Sequence, residues 1–147
     1  MQAWTNSVIP FMSGHSPLEL GKAFLAENAS KPGVITTASG LQYLVLEEGP
    51  EGGTRPTLKD TVVVHYRGTS LQGVEFDSSY RRDEPAEFPL KRVIKGWKEG
   101  LQLMKEGDKF RFFVPTKLAY GARGSGLEIA PHESLIFEVH LLKVWAD

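Results

Sequence analysis

The chain has no cysteine, and this absence excludes several classes of protein. Without thiols there is no disulfide framework, no thiolate metal site and no cysteine nucleophile. The histidines, His15, His65, His132 and His140, lack the spacing of a metal site. Neither a serine-nucleophile elbow nor a Walker-type phosphate loop occurs. We therefore expect no metal and no cofactor.

Long apolar runs and an excess of basic charge are missing as well. No run approaches the roughly 20 residues of a membrane-spanning helix, so we expect no membrane segment. The net charge of −1 and the pI near 6.4 argue against a nucleic-acid partner. The one basic cluster, residues 80–82, is followed at once by Asp83 and Glu84 and predicts a solvated loop.

The first residues carry little targeting information. Residues 1–13 lack the basic region and the long apolar region of a secretory signal. This favours a cytoplasmic protein, although an exported chain that has already been processed would look the same.

The N-terminal part of the chain contains one strong helix signal. Ser16 can cap a free N–H, Pro17 suits the first helical position and Glu19 completes a capping box. A polar linker follows this helix. We therefore divide the 147 residues into an N-terminal tail with a short helix and linker, residues 1–40, and one domain of residues 41–147.

From Leu41 onwards, apolar and polar residues alternate with the period of half-buried strands. Strands are predicted over residues 41–47, 61–67, 73–77, 86–90, 109–114 and 134–145. A short helix is predicted over residues 96–105 and a long glycine-rich loop over 115–132. Strands on both sides of one helix predict an α+β fold in which an antiparallel sheet packs against that helix.

Two local patterns resemble parts of other functional sites, but neither site is complete in the sequence. Residues 121–126 resemble a phosphate cradle, but no helix N-terminus follows them, so they predict a flap. Glu75 and Asp77 lie on one strand and could form the carboxylate pair of a hydrolase. The sequence supplies no second acidic group across a cleft. Aromatic residues are concentrated after His65, and Trp97 at a helix start is typical of a residue that lines a concavity.

Short motifs in fixed order carry a more specific signal. They are HYRG at residues 65–68, FDSS at 76–79, VIKGW at 93–97, LAYG at 118–121 and LIFEV at 135–139. In this order and spacing, the set resembles the FKBP-type prolyl isomerases. Residues 21–28, together with residues 37–43, are similar to the join between arm and domain in bacterial Mip-like members. The resemblance implies an antiparallel sheet half-wrapped around a short helix, with an apolar pocket between them.

The resemblance also implies roles for individual residues. Trp97 would form the pocket floor. The walls would consist of Tyr66, Phe76, Val93, Ile94 and Phe137. The Ile94 N–H and the Tyr120 hydroxyl would donate hydrogen bonds to ligand carbonyls. Asp77 would accept a hydrogen bond from Tyr66 and face the twisted amide, which makes Tyr66, Asp77 and Tyr120 the implied catalytic residues.

The activity implied by the resemblance is rotation of X–Pro bonds in proline-containing polypeptides, which assists protein folding. Rapamycin-type macrolides are the implied inhibitors. A binding or chaperone module that uses the same pocket without turnover remains an alternative. Ala86 and Glu128 depart from residues common in the family and affect the rim rather than the floor. The predicted helix has too little apolar surface for an obligate dimer, so we expect a monomer.

Overall fold

The computed structural model describes residues 16–146, and its elements follow the predicted order. The helices are α1 (Pro17–Asn28) and α2 (Lys95–Leu101). The strands are β1 (Ile35–Thr36), β2 (Gln42–Glu47), β3 (Thr61–Ser70), β4 (Glu75–Ser78), β5 (Ala86–Pro89), β6 (Lys109–Val114) and β7 (Leu135–Trp145). Short 3-10 helices span Leu90–Arg92, Thr116–Leu118 and Gly121–Arg123. The tail predicted before Ser16 lies outside the described residues.

The strands form one antiparallel sheet in the order β1-β2-β6-β7-β3-β4, and β5 also pairs with β3. The longest pairing is between β3 and β7, from Thr61 opposite Trp145 to Ser70 opposite Leu135. Because β7 occupies one side of β3, the short strands β4 and β5 share its other side. The predicted antiparallel sheet around a short helix is confirmed. Within residues 16–146, no helix is long and apolar enough to cross a membrane.

Helix α2 packs very closely on the inner face of the sheet. A Cβ atom at Gly96 would lie 2.6 Å from Val114 Cγ1, and one at Gly100 would lie 2.5 Å from Phe112 Cε1. Only glycine allows this approach, because such distances are well inside van der Waals contact. Trp97 and Leu101 on the same helix are buried against the sheet.

Helix α1 lies on the outer face of the sheet. Its capping box forms as predicted, with the Glu19 N–H donating to Ser16 Oγ and the Ser16 N–H donating to Glu19 Oε1. Phe24 is buried in a cluster with Leu71, Phe113 and Ile136. These side chains bury the outer face of the strands that α1 crosses, so the helix is part of the folded unit.

A pair of buried amides fixes the end of α1 to β2. Asn28 Nδ2 donates to Gln42 Oε1 at 2.8 Å, and Gln42 Nε2 donates to the Leu25 carbonyl at 2.9 Å. Both side chains are almost fully buried. Buried amides that satisfy each other in this way specify one docked position of the helix.

Several predicted boundaries differ from the structure, and two of the differences have a clear physical reason. The linker predicted over residues 36–40 begins inside a strand, because Ile35 and Thr36 pair with Tyr43 and Gln42. Helix α2 ends at Leu101, not at residue 105, because the next N–H groups bond three residues back as turns do. Met104 is nevertheless fully buried, as its apolar spacing predicted.

Phe24→Ala should destabilise the whole protein if α1 unfolds together with the sheet. We expect a loss of about 3–5 kcal/mol in the free energy of unfolding, because a buried phenylalanine is replaced by a cavity. Urea denaturation followed by far-ultraviolet circular dichroism measures this loss. Leu18→Ala, on the exposed side of α1, is the control and should cost less than about 1 kcal/mol. Equal midpoints for Phe24→Ala and the wild type would show that α1 is not docked.

Candidate functional site

A cavity of about 280 Å³ opens between α2, the inner face of the sheet and the loop after β6. Its lining consists of Tyr66, Phe76, Asp77, Phe88, Arg92, Val93, Ile94, Trp97, Tyr120 and Phe137. All eight residues predicted for the site belong to this set. The structure therefore brings together side chains from β3, β4, β5, β7, the segment around α2 and the loop after β6.

Trp97 is held rigidly at the base of this cavity. The rings of Tyr66, Phe88 and Phe137 meet it edge to face, with centroids 5.1, 5.5 and 5.4 Å from the indole. Edge-to-face contacts of this kind are the favoured aromatic geometry. Phe76 contacts Phe137 in the same way at 5.6 Å. The result is a preformed apolar surface shaped to receive a small ring.

The polar side of the cavity is a network of three residues. The Tyr66 hydroxyl donates a short hydrogen bond to Asp77 Oδ2. Arg82 donates to Asp77 Oδ1 at 2.6 Å and to the Tyr66 hydroxyl oxygen at 3.1 Å. The Arg82 guanidinium also lies 5.7 Å from the centroid of the Tyr66 ring. One carboxylate thus orients the phenol inside the cavity while a cation outside holds the carboxylate.

This network sets the ionisation of its members. Partial burial opposes the charge on Asp77, but the hydrogen bonds from Tyr66 and Arg82 outweigh it and hold the pKa of Asp77 below its usual range. Burial, with the hydrogen bond to Asp77, raises the pKa of Tyr66 to about 12. Because the folded pKa of Asp77 lies below the unfolded value, its stabilising contribution is complete above roughly pH 4 and is lost as the pH falls through the folded pKa.

Two hydrogen-bond donors lie at the cavity besides this network. Ile94 precedes α2, and its carbonyl accepts from the Trp97 and Lys98 N–H groups. The Ile94 N–H itself meets no acceptor in the described part of the chain. Tyr120 is 38% exposed, and burial together with the charge of Asp77 raises its pKa, so its hydroxyl keeps its proton near neutral pH. Both groups can donate to a carbonyl of a bound molecule.

A larger hollow of about 540 Å³ lies between α1 and the start of the domain. Of its lining side chains, only Lys22 and Lys117 are ionisable, and it has no aromatic base. Among residues 16–146, no group of three or more histidines, aspartates or glutamates could hold a metal ion. The chemistry that the described residues can support is therefore concentrated in the cavity above Trp97.

Sequence reasoning missed three contributors to the site. Residues 80–82 were expected to be a solvated loop, yet Arg82 binds Asp77, and Arg81 binds Glu75 at 3.0 Å. Phe88 and Arg92 line the cavity and were not predicted to do so. The signal for Arg82 was its position five residues after an acidic site residue. Charge alternation in an exposed loop does not distinguish such a pair from solvated side chains.

Removal of the Arg82 charge should raise the pKa of Asp77. In Arg82→Gln the strongest cation near the carboxylate is lost, so its pKa should move upward towards the ordinary aspartate value. Carbon-13 NMR titration of the aspartate carboxyl groups measures the shift. The control is Arg81→Gln, whose cation pairs with Glu75 and should leave Asp77 unchanged. An unaltered Asp77 titration in Arg82→Gln would contradict the network.

Comparison with known proteins gives several close relatives. The Mip peptidyl-prolyl cis–trans isomerase of Coxiella burnetii is 52% identical over 126 residues, which cover 86% of this chain and 54% of that protein. The outer membrane protein MIP of Legionella longbeachae is 48% identical over 124 residues, covering 84% of this chain and 52% of that protein. The chain therefore spans about half the length of the curated relatives that it matches.

Structural and family comparisons agree with these relatives. The crystal structure of a peptidyl-prolyl cis–trans isomerase from Pseudomonas syringae pv. tomato has a TM-score of 0.82 and 35% identity, and the match covers 93% of this chain and 99% of that one. The family of domains amino-terminal to FKBP-type peptidyl-prolyl isomerases matches residues 13–45. The FKBP-type peptidyl-prolyl cis–trans isomerase family matches residues 52–142. Since that match covers most of a chain whose cavity also has the expected residues, the protein belongs to the FKBP-type peptidyl-prolyl cis–trans isomerase family.

Proposed function

We propose that this chain is a peptidyl-prolyl cis–trans isomerase that rotates X–Pro bonds in polypeptides and so assists their folding. The observation that carries the proposal is the rigid aromatic base of Trp97 beneath a cavity with polar groups at its rim. A proline ring is small, apolar and compact, and such a cavity can hold it while the flanking peptide stays in solvent.

Rotation of an X–Pro bond forms and breaks no covalent bond, so this reaction needs neither a nucleophile nor a metal. Rotation about a peptide bond must break amide resonance, which costs about 18–20 kcal/mol. The two end states of an X–Pro bond differ by only about 0.5–1 kcal/mol. The twisted transition state has a weaker amide dipole than the planar ground state. An apolar cavity therefore disfavours the planar form more, and this difference in binding accelerates rotation.

The polar groups at the rim have complementary roles in this proposal. The Ile94 N–H and the Tyr120 hydroxyl donate to substrate carbonyls and fix the peptide on both sides of the rotating bond. Asp77 orients Tyr66 and faces the twisted amide. Phe76, Val93 and Phe137 exclude water from the proline ring. The same apolar surface and donors would also bind rapamycin-type macrolides.

Catalysis is favoured over the two alternatives that the sequence left open, a pocket that only binds and a carboxylate hydrolase. A pocket that only binds would need none of the Tyr66–Asp77 geometry, which places a charged acceptor beside the cavity. A carboxylate hydrolase receives no support, because Glu75 does not line the cavity. Its oxygens are held by Arg67 at 2.7 Å and Arg81 at 3.0 Å.

We also propose the domain boundary at Leu41 and the monomeric state that the sequence predicted. Leu41, the first residue of the proposed isomerase domain, is fully buried in the main core, which supports its place in that domain, although α1 and β1 before it pack on the same sheet. The apolar side of α1 is partly used within one chain, by Phe24 against Phe113. That leaves less surface for a second copy and supports a monomer. Sedimentation equilibrium at micromolar concentration measures the mass, and a concentration-independent dimer would contradict it.

The comparisons do not support the cytoplasmic location expected from the sequence, because one relative is named an outer membrane protein. We therefore propose the other alternative, an exported protein. Fractionation of the producing cells tests this location, and recovery of the chain only with cytoplasmic markers would contradict it.

Replacement of the pocket base should reduce turnover. Trp97→Leu keeps an apolar side chain but loses most of the surface beneath the proline, and burial of a large aromatic contributes about 2–3 kcal/mol. We expect kcat/KM for an X–Pro tetrapeptide to fall at least about tenfold. Exchange NMR of the cis and trans signals measures the rate, and a rapamycin-type macrolide should abolish it in the wild type. Unchanged turnover in a folded Trp97→Leu variant would refute the proposed site.

Replacement of Asp77 should separate catalysis from binding. Asp77→Leu removes the acceptor of the Tyr66 hydroxyl, and loss of a partner for such a group costs about 1–3 kcal/mol. Because the carboxylate faces the twisted amide, kcat/KM should fall more than the affinity for the macrolide. Glu75→Gln on the same strand is the control and should change neither quantity. Equal losses of turnover and affinity in Asp77→Leu would indicate a purely structural role.

A further inference from the structure

The mouth of the cavity has a cation, Arg92, that pairs with no acidic side chain in the described part of the chain. Arg92 lines the cavity at the end of the 3-10 helix Leu90–Arg92 and is exposed. Among residues 16–146 it forms no ion pair and no side-chain hydrogen bond. The other charged group of the lining, Asp77, is already neutralised by Arg82 at 2.6 Å. Within residues 16–146, the positive charge of Arg92 at the mouth therefore has no acidic side chain in contact with it.

The neighbouring residues strengthen this positive charge. Lys91 directly precedes Arg92 and Lys95 follows it by three residues, and both are exposed and form no ion pair within the described residues. Neither short helix in this segment has an acidic residue in its first turn. The whole chain has a net charge of −1, so this local excess does not come from a generally basic protein. We call Lys91, Arg92 and Lys95 the basic rim.

The basic rim lies where a residue next to the bound proline would pass. Arg92 precedes Ile94 by two residues, so their Cα atoms are at most about 7 Å apart. A peptide whose carbonyl accepts from the Ile94 N–H thus has a flanking side chain within reach of the Arg92 guanidinium. An arginine with free N–H groups binds a carboxylate better than a neutral side chain because its planar fork matches the two carboxylate oxygens.

We propose that Arg92 makes this isomerase favour an acidic residue next to the proline over a neutral residue of the same shape. The inference rests on the proposed isomerase function. The substrates that Arg92 favours are polypeptide segments in which glutamate or aspartate stands next to the proline. Lys91 and Lys95 add to the attraction through their charge.

Matched tetrapeptides test the preference. Each pair carries Glu or Gln beside the proline, one pair before it and one pair after it, and a Leu-Pro peptide is the reference. Exchange NMR at pH 7 and low salt gives kcat/KM for each peptide. In at least one pair we expect Glu to exceed Gln by about three- to fivefold, as for an exposed ion pair. The ratio should fall towards one at high salt because the charges are screened.

Two variants assign the effect to a residue. In Arg92→Gln the Glu-to-Gln ratio should fall to about one, whereas Arg92→Lys should retain part of it. Arg123→Gln removes another exposed arginine that does not line the cavity and should keep the wild-type ratio. An equal ratio in wild type, or an equal loss in Arg123→Gln, overturns the inference. No turnover of the Leu-Pro reference would instead refute the isomerase function.

Discussion

The close approach of α2 to β6 is the constraint on which the site depends. Gly96 and Gly100 leave no room for a Cβ atom, so the helix lies directly on Val114 and Phe112. Trp97 lies between these glycines in the sequence and therefore packs against the rings of Tyr66 and Phe137. A larger residue at either glycine would lift the helix and move the base of the cavity with it. The packing of backbone against side chains thus sets the depth of the site.

Electrostatics give the site one protonation state near neutral pH. Asp77 stays ionised because hydrogen bonds from Tyr66 and Arg82 outweigh its partial burial. Burial and the hydrogen bond to Asp77 raise the pKa of Tyr66 to about 12 and so keep it protonated. The cation that completes this network comes from the exposed loop after β4 and not from the cavity wall. A buried cation would have to lose its hydration, whereas Arg82 keeps much of its own. The base and the aromatic walls of the cavity can therefore remain apolar.

The sequence predicted the parts of this structure in which local pattern and tertiary packing agree. The alternation in β3 and β7 and the capping box at Ser16 gave the correct elements. The order of the motifs predicted a set of eight residues, and all of them line one cavity. The two-residue strand Ile35–Thr36 could not be predicted, because its pairing with β2 is its only support. Arg82 was missed because an exposed ion pair leaves no periodic signal in the sequence. Helix α2 ends earlier than its apolar pattern predicted because turn hydrogen bonds replace helical ones after Leu101.

The edges of the sheet have a further consequence. One edge is the two-residue strand β1, and the other is divided between β4 and β5, each of four residues. Long open edges can pair with extended chains and start aggregation. The proposed function would bring this protein into contact with such chains. With short, divided edges, it would hold a client through side chains in the cavity without offering its own backbone as a template for another strand.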